Sequence, residues 1–190
     1  MASRILAFSA SPRSQSNSDL LLDEIVAGSR QAGAHVTKVR LSELAIGPCH
    51  ACNHCRTQAE PTCVLQDDMV PLLAQLRAAD AYILAAPIYF FGAAAQLKVF
   101  LDRWYALPGN EGFSVLAGRR MAAAFTYGAS DPIASGVFNA HGMVRDICRF
   151  LRFTYVGWVH ASCGAQGEIA SAKSLLADAE ALGRRLVGEA

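Results

Sequence analysis

At 190 residues, the chain has the length of one domain and is predicted to fold as a single unit over residues 1–190. Hydrophobic residues make up 53% and charged residues 17%, which argues against a disordered protein, and the low charged fraction favours a homodimer or homotetramer. The net charge of +1 gives no basis for binding nucleic acid or membranes, and no signal peptide or membrane-spanning segment is visible, so a cytoplasmic location is expected.

Along the chain, short apolar segments alternate with amphipathic ones. Residues 4–8 (RILAF) form an apolar run, and the helical spacing of Leu21 and Ile25 predicts a helix that Gly33 ends. Residues 81–86 (AYILAA) are apolar throughout, which is typical of a strand covered on both faces. The predicted strands are 4–8, 35–41, 81–86, 120–126 and 155–161. The predicted helices are 19–32, 67–79, 93–105, 137–153 and 168–187.

This alternation predicts an α/β fold, a doubly wound sheet of five parallel strands with helices on both faces. In such sheets, ligands bind beyond the carboxyl ends of the strands, where the strand order reverses. The loops after the first, third and fourth strands, at about residues 9–18, 87–92 and 127–136, are therefore the expected binding site.

The first of these loops, SASPRSQSNS, leads directly into a predicted helix. A phosphate placed there meets free backbone amides, the positive helix end and several hydroxyls, and Arg13 adds a charge-assisted hydrogen bond. The loop lacks GxGxxG and GxxxxGK[ST], which argues against a dinucleotide or nucleoside-triphosphate site and favours a single phosphomonoester. A polar turn that only caps the helix is the competing interpretation.

The second loop, residues 87–92 (PIYFFG), carries three consecutive aromatic residues after a proline that makes the turn rigid. Three adjacent aromatic side chains on a loop do not all point into a core, so they offer faces to a planar ring. The third loop, residues 126–132 (TYGASDP), is small and polar apart from Tyr127, which suits hydrogen bonds to the edge of such a ring.

Four of the six cysteines lie in one loop at about residues 47–66. They are Cys49, Cys52, Cys55 and Cys63. Thiolates at steps of three converge on one inorganic centre, with the fourth returned by a turn at Pro61, and this spacing resembles [4Fe–4S] ligation. Zinc, which is more often held by two separated CxxC pairs, and free thiols are both open alternatives, whereas the expected compartment disfavours disulfides.

The phosphate loop resembles that of the NADPH-dependent FMN reductase family, within the flavodoxin-like superfamily. Members usually read Gly-Ser-Pro-Arg, a short spacer, then Asn-Thr or Asn-Ser. Four positions match, Ser11, Arg13, Asn17 and Ser18, whereas Ala10 stands where the family often has Gly. The second loop resembles the family's Pro-x-Tyr-x-x-Gly segment and the Lys…Asp-Arg helix that follows it.

This resemblance implies a flavodoxin-like sheet with strand order 2-1-3-4-5 and an FMN site in the three loops. The expected FMN-binding residues are Ser9, Ser11, Arg13, Ser16, Asn17, Ser18, Pro87, Ile88, Tyr89, Phe90, Phe91, Gly92, Tyr127 and Gly128. On the helix after the second loop, Lys98 and Asp102 lie four residues apart and are expected to pair on the surface. The alternative is that Asp102, Arg103 and Trp104 belong to a dimer interface.

The cysteine spacing also resembles the compact motif of the iron-sulfur flavoproteins, a branch of the same flavin family. The resemblance implies that Cys49, Cys52, Cys55 and Cys63 hold a [4Fe–4S] cluster, which would pass single electrons to a flavin that also accepts hydride.

No Ser/His/Asp arrangement or pair of catalytic carboxylates is visible, so no catalytic side chain is expected and the cofactor carries the chemistry. The leading hypothesis is an enzyme that passes electrons from NAD(P)H through FMN to a small-molecule or protein acceptor. The second is an iron-sulfur flavoprotein that exchanges single electrons with a ferredoxin-like partner. The third, of another class, is a non-enzymatic module that binds a phosphorylated ligand and holds structural zinc.

Overall fold

The computed structural model describes residues 2–60 and 62–188. Its strands are β1 (Arg4–Ser9), β2 (His35–Arg40), β3 (Ala81–Tyr89), β4 (Gly92–Ala93), β5 (Arg120–Tyr127) and β6 (Thr154–Ser162). Its α-helices are α1 (Asn17–Gln31), α2 (Met69–Ala78), α3 (Ala95–Asp102), α4 (Pro132–Ser135), α5 (Val137–Leu151) and α6 (Lys173–Val187). Short 3₁₀ turns occupy Leu41–Glu43, His54–Thr57, Arg103–Ala106, Phe113–Leu116 and Glu168–Ser171. Among the described residues, no helix is both long enough and apolar enough to cross a membrane.

Five of the strands form one layer in the order β2-β1-β3-β5-β6, and these five run parallel to one another. The α/β architecture with a parallel sheet is therefore confirmed, but the prediction of five strands is incomplete. A sixth strand, the two-residue β4, pairs antiparallel with the end of β3, because the chain turns back on itself at Phe90 and Phe91.

Alternate side chains of the central strands serve the two faces of the sheet. Ile5 and Ile83 pack with α1 and α6 on one face, whereas Phe8 and Leu84 pack with α2, α3 and α5 on the other. Residues 81–86 are all buried, which explains why that segment is apolar at every position.

The predicted helix boundaries differ from the observed ones where tertiary contacts compete. The helix expected from residue 67 begins at Met69, whose amide donates to Asp67 Oδ1 at 3.2 Å. The Asp67 and Asp68 carboxylates also accept hydrogen bonds from the amides of Gly47 and Ala45, which tie the two residues to the preceding loop. The helix expected over 93–105 is shortened by β4 and tightens into a 3₁₀ turn after Asp102. The helix expected over 168–187 is divided into a 3₁₀ turn and α6.

Candidate functional site

The loops at the carboxyl ends of β1, β3, β5 and β6 meet around one cleft, with a cavity volume of about 170 Å³. Nine of the predicted FMN residues line it: Ser11, Arg13, Ser16, Asn17, Pro87, Ile88, Tyr89, Tyr127 and Gly128. Four further lining residues are Thr126, Cys163, Gly164 and Gln166, of which the last three belong to the loop after β6. The remaining predicted residues, Ser9, Ser18, Phe90, Phe91 and Gly92, do not line the cavity.

The phosphate loop enters α1 through a capping box. The Ser16 hydroxyl accepts a hydrogen bond from the Asp19 amide at 3.2 Å, and the Asp19 carboxylate accepts one from the Ser16 amide at 3.3 Å. The Ser18 hydroxyl lies 3.0 Å from that of Ser16 and is fully buried. Serine hydroxyls of this loop therefore serve the helix cap, as the competing interpretation holds, while the first amides of α1 still lack intrahelical acceptors.

Asn17 uses its side chain to position a neighbouring loop. Its Nδ2 donates to the Ala165 carbonyl at 2.7 Å, and its Oδ1 accepts from the Ile169 amide at 3.2 Å. The amide group thus holds the loop after β6 against the cleft, where Gly164 and Gln166 form one wall. Sequence reasoning missed this loop because its partner lies far away along the chain.

An ion pair between the partly buried Arg40 and the buried Asp19 supports the phosphate loop. Arg40 Nη1 donates to Asp19 Oδ2 at 2.8 Å, and Arg40 Nη2 donates to the Arg13 carbonyl at 3.1 Å. Burial alone would raise the pKa of Asp19, but the neighbouring Ser9 hydroxyl and the hydrogen bond from Arg40 hold it below its ordinary value. The carboxylate therefore stays ionised and keeps the loop in place, while the Arg13 side chain itself is exposed at the cleft.

The aromatic loop is a tight hairpin between β3 and β4. Tyr89 pairs with Gly92, and the two central residues, Phe90 and Phe91, have φ of 46° and 67°. Both are in the left-handed region that glycine or asparagine normally occupies in such turns, so the backbone is strained by about 1–2 kcal/mol per residue. Phe90 is 98% exposed and Phe91 is 59% exposed, so burial does not explain the choice of phenylalanine.

The strained hairpin is held from the side by the start of α5. Asn139 Nδ2 donates to the Phe91 carbonyl at 2.9 Å. Gly136, with φ of 81°, lies so close that a Cβ there would be 2.4 Å from the Phe91 Cα. Strain that surrounding structure maintains is found at binding sites, which supports a ligand-binding role for this turn.

Replacing Phe90 by Asn is expected to stabilise the protein by about 0.5–1 kcal/mol, because asparagine tolerates the left-handed conformation and an almost fully exposed ring is lost. Urea unfolding of the ligand-free protein measures this. The control is Phe150→Asn, which removes a ring that is 66% exposed from the right-handed backbone of α5 and should bring no gain. An unchanged or lower stability of Phe90→Asn would contradict the strain argument.

Tyr127 and His160 form a hydrogen-bonded pair beside the cleft. The Tyr127 hydroxyl lies 3.1 Å from His160 Nδ1, and the His160 ring stacks on Trp158 with centroids 4.3 Å apart. Burial raises the pKa of Tyr127 and lowers that of His160, so both are neutral near pH 7. No local pattern indicated this pair, because it joins the ends of two adjacent parallel strands.

The four cysteines of the 47–66 loop line one small cavity of about 20 Å³, together with residues of the Arg103–Ala106 turn. Cys49 and Cys52 are exposed, whereas Cys55 is buried and Cys63 is half-buried. Burial, followed by the neighbouring Cys63 thiol, raises the pKa of Cys55. The predicted turn at Pro61 lies outside the described residues. Within residues 2–60 and 62–188, no three His, Cys, Asp or Glu side chains are arranged to hold a single metal ion.

A buried ion pair anchors both ends of the cysteine loop. Arg103 is 1% exposed and donates to both Asp67 carboxylate oxygens, at 2.6 and 3.0 Å, and to the Gly47 carbonyl at 2.8 Å. The Gly47 amide in turn donates to Asp67 at 2.9 Å. Arg103 and Trp104 are buried within the chain, so the hypothesis that they face a dimer interface is wrong for these two residues. Asp102 is exposed, and its surface pair with Lys98 is confirmed.

The fold is shared with a solved structure of another protein. The NAD(P)H:quinone oxidoreductase from Methanothermobacter marburgensis superimposes with a TM-score of 0.74 and 17% sequence identity, over 100% of both chains. The amino-acid sequence matches the NADPH-dependent FMN reductase family over residues 3–178. The chain belongs to this family. The expected flavodoxin-like fold and the expected membership of this family are thereby confirmed.

Two relatives of the chain have names that indicate different activities. The chain is 32% identical over 127 residues to an iron-sulfur flavoprotein of Methanocaldococcus jannaschii, which covers 67% of the chain and 63% of that relative. It is 32% identical over 117 residues to an FMN-dependent NADH:quinone oxidoreductase of Cereibacter sphaeroides, which covers 56% of the chain and 58% of the relative. The chain thus spans less than two thirds of the length of either relative.

Proposed function

We propose that the protein binds FMN in the cleft and passes electrons from NAD(P)H to an acceptor such as a quinone, a free flavin, a nitro or azo compound, or a redox protein. The observation that carries the proposal is the meeting of the phosphate loop, the aromatic hairpin and the Tyr127 loop at one sheet edge. Membership of the NADPH-dependent FMN reductase family supports it.

The cleft fits the phosphate of FMN in its donor chemistry. Its lining offers the Arg13 guanidinium, the Ser11 hydroxyl and the amino end of α1, and none of the residues that line it is acidic. A phosphate with two negative charges is therefore met by positive potential and hydrogen-bond donors, without a repelling carboxylate. Asp19 does not oppose this, because its charge is compensated by Arg40.

The aromatic residues fit a planar ring system. Tyr89 and Tyr127 line the cleft, and the strained turn exposes Phe90 and Phe91 next to Tyr89. The cavity of about 170 Å³ is smaller than the roughly 300–1,000 Å³ that encloses most ligands, so an FMN bound there would stay partly exposed to solvent. An open face leaves room for a nicotinamide and then an acceptor to approach in turn.

When bound, FMN accepts a hydride from reduced nicotinamide and releases the electrons singly or in pairs. The residues of the chain bind and orient it. The Tyr127 hydroxyl, which stays protonated at neutral pH, lies beside the cleft and is held by its hydrogen bond with His160. No separate nicotinamide motif is needed for a nucleotide that docks transiently on the exposed face.

The test is anaerobic purification, FMN reconstitution and titration with NADH or NADPH. We expect stoichiometric flavin and bleaching of its visible absorption by the nicotinamide, followed by recovery on adding an acceptor. Failure to retain added FMN would overturn the proposal, and zinc without flavin would support the non-enzymatic phosphoryl-binding module instead.

A second candidate, an iron-sulfur flavoprotein that exchanges single electrons with a ferredoxin-like partner, is favoured by the cysteine cavity. The four cysteines line one cavity, and a [4Fe–4S] cluster takes one cysteine on each of its four irons. Zinc sites with four cysteines more often use two separated CxxC pairs. The name of the Methanocaldococcus jannaschii relative supports the same choice.

Replacing Cys52 by Ala is expected to abolish iron binding after anaerobic reconstitution, because a [4Fe–4S] cluster loses one of its four ligands. Iron and sulfide analysis of the purified protein measures this. The matched control is Cys148→Ala, since Cys148 is buried in the core and burial raises its pKa to about 12, so it remains a thiol. Iron at full stoichiometry in Cys52→Ala would show that the ligand set is wrong.

A further inference from the structure

Arg103 places a buried hydrogen-bond donor at the wall of the cysteine cavity. Its two terminal nitrogens are engaged by Asp67 and Gly47, but Nε is buried and has no hydrogen-bond partner among residues 2–60 and 62–188. The same side chain lines the cavity that the four cysteine thiols surround. A buried donor without an acceptor costs about 1–3 kcal/mol, which indicates that an acceptor belongs there.

The neighbouring Cys63 supports this interpretation. Arg103 and Cys63 both line the cavity, and the Cys63 thiol lies near the guanidinium. The guanidinium is charged at neutral pH, since arginine does not lose its proton in proteins. The other arginine of this region, Arg56, does not line the cavity, and its guanidinium lies over the rings of Tyr105 and Phe113, 5.4 and 5.1 Å from their centroids.

We infer that Arg103 is a positioning residue that donates a hydrogen bond from Nε to a sulfur of the cysteine-held centre, at or beside Cys63, and thereby raises the reduction potential of that centre. The inference rests on the second candidate function, the [4Fe–4S] cluster. Hydrogen bonds to cluster sulfurs stabilise the more negative, reduced form over the oxidised one, so they favour uptake of an electron.

The ion pair with Asp67 explains how this donor is kept in place. The bidentate contact fixes the plane of the guanidinium, and the Gly47 carbonyl fixes its second edge, so that Nε is directed without rotational freedom. The same contacts hold both ends of the cysteine loop. Arg103 therefore couples the backbone that carries the ligands to the electrostatics of the centre they bind.

Arg103→Lys is the variant that isolates the Nε donor. Lysine places a methylene where arginine has Nε and a positive charge where arginine has Cζ, so the charge beside Asp67 is kept while the donor is removed. We expect the cluster of this variant to have a more negative midpoint potential, with the flavin potential and FMN affinity unchanged. Arg119→Lys is the control, because Arg119 also bonds backbone carbonyls but does not line the cysteine cavity.

Redox titration followed by electron paramagnetic resonance measures the cluster potential. Equal cluster potentials in wild type and Arg103→Lys would overturn this inference alone, whereas a wild-type protein that binds no iron after reconstitution would overturn the cluster and the inference together. If Arg103→Lys does not load a cluster, hyperfine coupling between the cluster and isotopically labelled arginine nitrogen is measured in wild type and in Arg56→Lys. Coupling in both proteins supports the inference. No coupling in wild type, or loss of the coupling in Arg56→Lys, overturns it.

Discussion

The Arg13→Ala variant is expected to bind FMN about 10- to 150-fold more weakly than wild type, because one charge-assisted hydrogen bond to a phosphate contributes about 1.5–3 kcal/mol. Arg13 is exposed, lines the cleft and forms no ion pair within the part of the chain that the structure describes. Its removal should therefore leave the fold unchanged. Quenching of flavin fluorescence during titration of the apoprotein measures the affinity.

Ser11→Ala tests how much of the FMN affinity comes from the Ser11 hydroxyl rather than from Arg13. Its hydroxyl accepts a bond from the Arg13 amide at 3.2 Å and still has a proton to donate, so we expect a smaller loss, of about 3- to 10-fold. Arg149→Ala is the control, since that side chain is 83% exposed and pairs only with Asp146 on α5. Unchanged FMN affinity in Arg13→Ala would refute the phosphate-loop assignment.

Asp67→Ala is expected to lower the free energy of unfolding by about 3–5 kcal/mol, because it leaves the Arg103 guanidinium buried without its counter-ion. The substitution also removes the acceptor of the Gly47 amide, so one end of the cysteine loop loses its anchor. Urea unfolding at neutral pH measures the change, and iron content after reconstitution should fall as well. Asp23→Ala is the matched control, because the Asp23 carboxylate is itself exposed beside Lys38 and exposed pairs contribute about 0–1 kcal/mol.

The difference in unfolding free energy between wild type and Asp67→Ala should decrease as the pH falls. Burial would raise the pKa of Asp67, but hydrogen bonds from Arg103 and Gly47 hold it below its ordinary value of 3.8. A carboxylate whose pKa is lower in the folded state stabilises the protein above its unfolded pKa and loses that effect as the pH falls through the folded value. The advantage of wild type over Asp67→Ala should therefore be complete at pH 7 and shrink only below about pH 3.8. A difference that grows on acidification would show that the ion pair is not its source.

Several site residues could be predicted because they follow strands directly. Ser11 and Arg13 lie in a polar loop between an apolar run and an amphipathic helix, and residues 87–89 end a strand whose first six residues are buried. In a parallel sheet, the ends of adjacent strands are necessarily neighbours, so the three loops meet without further information. The spacing of the cysteines likewise predicted that they share one cavity, since all four lie within one short loop.

Other roles could not be predicted because the partners are distant in the sequence. Asn17 lines the cleft, where a phosphate-binding residue is predicted, and its side chain also holds Ala165 and Ile169. Asp67 accepts a hydrogen bond from the Met69 amide at the helix start, and it also pairs with Arg103. In each case the local pattern is correct for a polar residue at a helix start, and the tertiary contact supplies a stronger partner than the helix end does.

The sequence by itself determined the alternation of strands and helices, the position of the polar and aromatic loops, and the cysteine spacing, because each depends on residues within a few positions of one another. Only the tertiary structure decided which donors remain for a ligand, because that requires knowing which are already used inside the protein. It also showed that Phe90 and Phe91 occupy a left-handed turn and that Arg103 is buried beside the cysteines. Backbone strain and long-range ion pairs arise from packing between distant segments, and local sequence patterns do not encode that packing.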